Sequence, residues 1–346
     1  MARIIGEGYS YDDLLIVPKY TDIKSRKNVC FKTKVTRNHF IDIPFLAANM
    51  DTVCDSKMAI AIGKLGGLGV LHRFCSIEEQ SDHVRKVKKE SLLCGAAIGL
   101  KDFEERSKAL VSAGVDIFVL DIAHGHSKMA GKTLTWLKET YPSIDVMVGN
   151  IATKIAAEYF LKKGADALKV GIGPGAMCTT RIMTGCGVPQ VTAIMDVFEH
   201  TQGRVPICAD GGIKDPGDVV KGIGAGANCV MAGSILSGTD ESPGEIIIQE
   251  GQKFKLYRGM ASFDASLKKM QIDGKSEKEI ISVEGEKTLV PYKGSVEKII
   301  IKFLGGLASG MTYNGAKVID DLRGTADFIG ISYAGMRESI AHGVKK

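Results

Sequence analysis

Cys178 closes the stretch Lys169-Val170-Gly171-Ile172-Gly173-Pro174-Gly175-Ala176-Met177-Cys178-Thr179-Thr180-Arg181, which passes from a short apolar run into a glycine-rich turn. Glycines there permit positive φ and close backbone approach to a ligand, and Pro174 stiffens the turn. A thiol held in such a loop is a candidate nucleophile. Thr179, Thr180 and Arg181 add hydroxyls and a positive charge able to lower its pKa or to carry a proton. Most cysteines are simply small buried apolar side chains, so the setting, not the residue type, selects Cys178. Two more turns, Asp210-Gly211-Gly212 and Gly233-Ser234, end apolar runs where backbone N–H groups could hold a phosphate. In Asp121-Ile122-Ala123-His124-Gly125-His126-Ser127 two histidines stand one residue apart, yet no further His or Cys cluster completes a metal site.

Positioning these groups takes a repeating framework. Strand-like runs recur at Ile43–Met50, Leu68–Arg73, Leu92–Leu100, Asp116–Ile122, Asp145–Ile151, Ala167–Gly173, Pro206–Asp210 and Cys229–Ser234. Between them lie helical periodicities with capping residues at their starts, for example Asp102–Ala113, Thr153–Lys163, Thr192–His200 and Asp215–Ile223. Continuous apolar strands are those of a parallel sheet covered on both faces. Eight such units predict an α/β fold, a (β/α)8 TIM barrel, with an open doubly wound sheet as the alternative. Asn49, Asp121, Gly173, Asp210 and Gly233 all fall at the C-terminal ends of their strands, the face on which barrels carry chemistry. Residues 1–40 form a polar opening segment in which Tyr9 to Pro18 alternates weakly, able to cap a barrel or to line a subunit contact. The span of about 241–293, polar and interrupted, is expected to be a lid over the strand ends, a flap inserted after strand 8.

Composition narrows the class. The chain has 346 residues, 45 basic and 40 acidic, for a formal charge of +5. It contains no basic block of the kind that grips nucleic acid, and Lys86-Val87-Lys88-Lys89 is expected to be a solvated helix face. Eight cysteines scattered without a C-x-x-C pair argue against a disulfide framework or structural zinc. With neither a signal pattern nor a membrane-length apolar run, the expectation is a cytoplasmic protein without membrane or nucleic-acid partners.

The string Gly171 to Arg181 closely resembles the catalytic loop shared by the IMP dehydrogenase / GMP reductase family. Tyr11-Asp12-Asp13-Leu14-Leu15, Ala48-Asn49-Met50-Asp51-Thr52-Val53, Ala209-Asp210-Gly211-Gly212-Ile213 and Tyr257-Arg258-Gly259-Met260 also look like its motifs, so the resemblance spans nearly the whole chain. It implies one catalytic barrel over 1–346. The regulatory CBS module is absent, since Arg73 leads through one helical stretch to Leu92. It further implies Cys178 as nucleophile with Thr180 and Glu284 moving a proton. The substrate, GMP or IMP, would be held by Asp210 on the ribose and by Gly211, Gly212 and Gly233 on the 5′-phosphate. Ser234 and Tyr257 would add hydroxyls, with Gly259, Met260 and Gly285 completing the substrate site. Ala176 departs from the serine often found there. A nicotinamide cofactor would meet Asp121, Ile122 and Ala123, although no G-x-G-x-x-G fingerprint is present. Ser25, Arg26 and Arg73 match reductase cofactor positions, and an arginine suits the 2′-phosphate of NADPH; either arginine could equally be a surface charge. Carbonyls of Gly173, Gly175 and Cys178 would bind a monovalent cation, K+, and a homotetramer is the family's assembly.

Both family reactions pass through a purine C2 bonded to the cysteine sulfur. The dehydrogenase then needs water activated by an Arg-Tyr pair on its flap. From Ala261 to Val290 this chain has no Arg and no Tyr, only Lys268, Lys269, Lys275, Lys278 and Lys287 as cations. That omission selects GMP reductase with NADPH. Tyr257-Arg258-Gly259-Met260, the tail Tyr333 to Ser339, and Ile281 where reductases often carry an arginine keep an NAD-dependent IMP dehydrogenase as the alternative. A silent nucleotide-binding protein is the third reading.

Overall fold

The computed structural model describes residues 1–272 and 283–340. Eight parallel strands close into a barrel: β1 Phe45–Ala47, β2 Leu68–Leu71, β3 Cys94–Ile98, β4 Ile117–Asp121, β5 Asp145–Ile151, β6 Ala167–Val170, β7 Ile207–Asp210 and β8 Cys229–Ala232. Each strand pairs with the next, and β8 closes on β1 through Val230 opposite Phe45 and Ala232 opposite Ala47. The fold is therefore a TIM barrel and not the open sheet. The strands are shorter than the apolar runs because those runs continue past the last ladder bond into the loops that carry the candidate site.

Successive strand residues point to opposite faces, and burial separates the two sets. Leu46, Leu68, Val70, Ile117, Val119, Met147, Ala167, Cys208, Cys229 and Met231 fill the barrel interior. Phe45, Leu71, Phe118, Leu120, Val146, Val148, Leu168, Val170 and Ile207 face the helices. Period 2 then places Asp121, Lys169 and Asp210 on the inward face at the top of β4, β6 and β7.

The outer ring begins with α1 Ser56–Lys64, α2 Ile77–Lys89, α3 Phe103–Ala113, α4 Lys128–Thr140 and α5 Lys154–Lys162; after a short α6 Thr180–Thr184 in the loop beyond β6, it continues with α7 Gln190–Thr201 and α8 Pro216–Gly224. Capping follows the sequence at Thr153 and Asp215, whereas Asp102 makes no side-chain cap bond and Thr192 lies inside α7, which opens at Pro189. Thr153 accepts from the Ala156 amide, and Asp215 opens α8 in a capping box with Asp218. Only α2 lies between β2 and β3, so no second module interrupts the barrel there. A hairpin of Thr33–Lys34 and Phe40–Ile41 plugs the N-terminal end with Val35 and Ile41. Asp145 holds its tip through Asn38 N, Asn38 Nδ2 and His39 Nδ1 at 3.0, 2.7 and 3.2 Å. The opening segment inserts Tyr11, 2% exposed, against Gly212 and Gly222, and its Leu14–Ile16 pairs antiparallel with Phe328–Gly330.

After β8 the expected flap contains a three-stranded antiparallel sheet, β9 Ile247–Gln249, β10 Gln252–Arg258 and β11 Lys287–Pro291, with α9 Phe263–Ile272. The polar, interrupted composition reflects a sheet that is half solvated. Lys275, Lys278 and Ile281 lie outside the described residues. The eighth barrel helix, α10 Val296–Tyr313, then packs on α8 and α1. Among the described residues no helix is long and apolar enough to cross a membrane.

Candidate active site

The loop after β6 is shaped by close approach. Gly171, at φ 150°, lies where a Cβ would sit 2.1 Å from the Asp210 carbonyl oxygen, and Gly173, at φ 86°, rests on the Arg181 side chain. Arg181 turns beneath the loop, donating to the carbonyls of Val188 at 2.6 Å and Ile172 at 3.4 Å. Its charge thus serves the loop backbone, not the thiol as the sequence suggested. Thr180 supplies the contact instead. Cys178 Sγ lies 3.1 Å from Thr180 Oγ1, and that hydroxyl donates to Glu284 Oε2 at 2.8 Å.

Glu284 arrives from the flap on backbone bonds. The Thr179 amide donates to the Glu284 carbonyl at 3.1 Å, the Glu286 amide donates to Met177 at 2.9 Å, and Cys178 pairs with Gly285 as an antiparallel bridge. A side chain at 285 would meet the Ser262 nitrogen at 3.0 Å, so close strand approach explains the glycine. A second anchor is the ion pair of Arg258 with Asp51, at 3.2 Å from Nε to Oδ1 with a shorter Nη contact to Oδ2. The Asp51 amide also donates to the sulfur of Met260 at 3.3 Å. These contacts tie β10 to the segment beyond β1.

The cavity that holds Cys178 also holds a charged cluster around the buried Lys169. Lys169 Nζ meets Asp121 Oδ1 at 2.8 Å and contacts Asp210 Oδ2 and Asn150 Oδ1. Asn150 Nδ2 in turn donates to Asp210 Oδ2 at 2.9 Å and to the Gly171 carbonyl at 2.7 Å. Burial alone would raise the pKa of Asp121, but the charges of Lys169 and Arg73 outweigh it and hold the carboxyl below its ordinary value. Burial likewise disfavours the Lys169 ammonium, yet the two carboxylates hold its pKa above the usual lysine value. Burial, with the nearby Asp210 charge, pushes the Tyr257 phenol up, so it is neutral.

One cavity of about 300 Å³ collects most of the predicted residues. Cys178, Thr180 and Glu284 share it with Asp210, Gly211, Tyr257, Gly259 and Met260, and also with Arg73, Asp121, Ile122, Ala123, Gly173 and Gly175. A smaller recess of about 170 Å³ adjoins it behind Pro174 and Ala176, lined by Gly212 and Ser234 together with Lys214 and Tyr11. Gly233 lies beside the Tyr257 hydroxyl, where a Cβ would be 3.1 Å away. Ser25 and Arg26 are not brought to either space. They stand exposed on a 3-10 turn packed against α10. His124 and His126 remain a pair of rings 6.4 Å apart, and among the described residues no group of three or more His, Cys, Asp or Glu could hold a metal ion.

Lys169, Asn150 and the Asp51–Arg258 pair join the site without having stood out in the sequence as site elements. Lys169 left one signal, a lone charge inside an apolar strand, which in a barrel demands a buried counterion.

Residues 8–342 match the family model described as the IMP dehydrogenase / GMP reductase domain. The chain is 39% identical to the inosine-5′-monophosphate dehydrogenase of Borreliella burgdorferi, over 99% of this chain and 98% of that one. It is 32% identical to the GMP reductase of Leishmania major, over 98% of each. Its structure superposes on a GMP reductase variant from Trypanosoma brucei, solved in complex with guanosine 5′-monophosphate, with a TM-score of 0.93 and 33% identity over 99% of both chains.

Proposed function

The chain belongs to the IMP dehydrogenase / GMP reductase family of NAD(P)-dependent oxidoreductases acting on purine nucleotides, and on that premise we propose that it is a GMP reductase. It converts GMP to IMP and ammonia with NADPH through a covalent Cys178 intermediate. The observation that carries this reading is the line from Cys178 through Thr180 to Glu284, beside a flap whose Ala261–Val290 stretch has no Arg or Tyr to activate water.

The hydrogen bonds run in the direction the first step needs. As the sulfur bonds to C2 of the purine, the thiol proton passes to the Thr180 oxygen while the Thr180 proton moves to Glu284. Glu284 returns that proton by the same route to the departing amine, the C2–N bond breaks, and ammonia leaves. The nicotinamide, when bound, supplies the hydride that C2 then receives. The C2–S bond breaks, IMP is released, and one solvent proton restores the thiol.

Asp210 takes the ribose hydroxyls. Gly211, Gly212, Gly233, Ser234 and Tyr257 take the phosphate, and Gly259, Met260 and Gly285 frame the purine. Arg73, Asp121, Ile122 and Ala123 fit a nicotinamide nucleotide, because they share the thiol's cavity and Arg73 Nε is buried without a hydrogen-bond partner among the described residues. Carbonyls of Gly173, Gly175 and Cys178 are proposed to hold K+. That of Gly175 accepts the Cys178 amide at 3.0 Å and keeps a second lone pair. A cytoplasmic homotetramer completes the proposal. In it, Ser25 and Arg26 would reach a neighbouring subunit's cofactor, since they lie away from their own cavity.

A second reading, IMP dehydrogenase, is favoured by the 39% identity to a dehydrogenase against 32% to a reductase. Nicotinamide absorbance separates the two. Oxidation of NADPH with GMP and release of ammonia is the expected result, whereas reduction of NAD by IMP would overturn it.

A further inference from the structure

Lys169 takes no part in the steps above, yet it is 2% exposed and sits between the two halves of the cavity. Its ammonium touches Asp121 on the cofactor side and Asp210 on the nucleotide side, and Asn150 ties Asp210 to the loop after β6. We propose that Lys169 is a positioning residue whose ammonium holds both carboxylates and aims them into the cavity, so that a ligand bound at one is felt at the other. This rests on the nucleotide and cofactor assignments of the proposed function.

The coupling is one of charge. One ammonium faces two carboxylates, so the cluster carries a net −1. When ribose hydroxyls donate to Asp210 they satisfy part of its charge, and the ammonium's hold shifts toward Asp121, altering what Asp121 offers a second ligand. Linkage makes the effect reciprocal. The other groups facing the cluster are Arg73 and Asn49, which act on Asp121, with Tyr257 and the buried Tyr11 close to Asp210 and Cys208 beneath, itself backed by Cys229. Burial pushes the Cys208 thiol and the Tyr257 phenol up, so both stay neutral.

The test measures GMP affinity by calorimetry with and without NADP+, which fills the cofactor side without turnover. Wild type is expected to show coupling of about fivefold or more. Lys169→Met should fold, lose the coupling, and bind GMP about tenfold more weakly at pH 6 than at pH 8 relative to wild type, because two facing carboxylates then share a proton. The double variant Lys169→Met/Asp121→Asn restores the net −1. It should recover GMP affinity and a wild-type pH profile while still lacking coupling, a pattern that loss of packing would not produce. Lys169→Arg should keep coupling. Should Lys169→Met not fold, the double variant and Asp121→Asn carry the same test, both expected to bind GMP without coupling. Wild-type coupling in any variant lacking the Lys169 ammonium or the Asp121 carboxylate overturns the inference, as does no coupling in wild type or no recovery in the double variant. Parallel titrations with IMP and NAD+ keep the two questions apart. A wrong reaction assignment changes which pair binds wild type, whereas a wrong inference leaves wild type and Lys169→Met alike with whichever pair binds.

Discussion

In the proposed relay, replacing Glu284 by glutamine removes a proton carrier and little else. The amide oxygen can still accept from Thr180 Oγ1, where the carboxylate now accepts at 2.8 Å. The flap attachments are made by the main chain of Glu284, through Thr179 N at 3.1 Å and to the Ala261 carbonyl at 3.0 Å, and do not depend on the carboxylate. Stability should therefore stay within about 0.5 kcal/mol of wild type, and GMP affinity should be unchanged. Two proton transfers are lost, out of the thiol and onto the amine. A positioned acid–base group is worth roughly 10²- to 10⁴-fold, or about 3–5 kcal/mol in the barrier. Glu284→Gln is expected to lower kcat by that factor with GMP and NADPH, and a rapid-quench experiment should find ammonia release slowed to the same extent. Thr180→Val cuts the same line, so the double variant should be no slower than about the worse single one. A Glu284→Gln enzyme with near wild-type kcat, or a double variant whose losses multiply, would refute the relay.

Three other outcomes follow from the same geometry. Cys178→Ser should abolish turnover and leave GMP affinity within about threefold of wild type, checked by calorimetry beside the NADPH assay; full activity would remove Cys178 from the chemistry. Arg258→Met strips the cation from Asp51, whose side chain is 2% exposed. It should cost about 3–5 kcal/mol, seen in chemical denaturation or as faster amide exchange along β10; unchanged protection would show that the pair does not hold the flap. For Asp145, burial would raise the pKa, but bonds from His39, Thr36 and Asn38 depress it below the ordinary carboxyl range. Its stabilisation is thus full above the unfolded value near pH 3.9 and is lost as pH falls through the folded value. Asp145→Asn should be about 1–3 kcal/mol less stable at pH 7, with the gap closing below about pH 4 in urea titrations. An equal gap at pH 7 and pH 3 would count against the account.

The sequence by itself determined the eight strand–helix units and the glycine-rich loop that carries Cys178, and left open whether the sheet closes. Eight apolar runs with helical stretches between them can be read locally because strand burial and helix capping depend on near neighbours. The caps at Thr153 and Asp215 fall where those residue types place them. The turn from Gly171 to Cys178 was legible for the same reason, since positive φ demands glycine whatever lies opposite. Tertiary structure decided which side chains meet. Glu284 reaches Thr180 across 104 residues, a contact created by a strand-like bridge of the flap onto the loop that no local spacing encodes. Arg181, beside the thiol in sequence, turns away to bond carbonyls, while Ser25 and Arg26 end on an outer turn. Lys169 shows the difference most clearly. Its neighbours in the chain are apolar, and its partners belong to three other strands that only barrel closure places beside it. Period 2 sends its side chain inward, but whether that interior offers carboxylates is a property of the closed sheet, because the energy of a buried charge depends on what surrounds it in space.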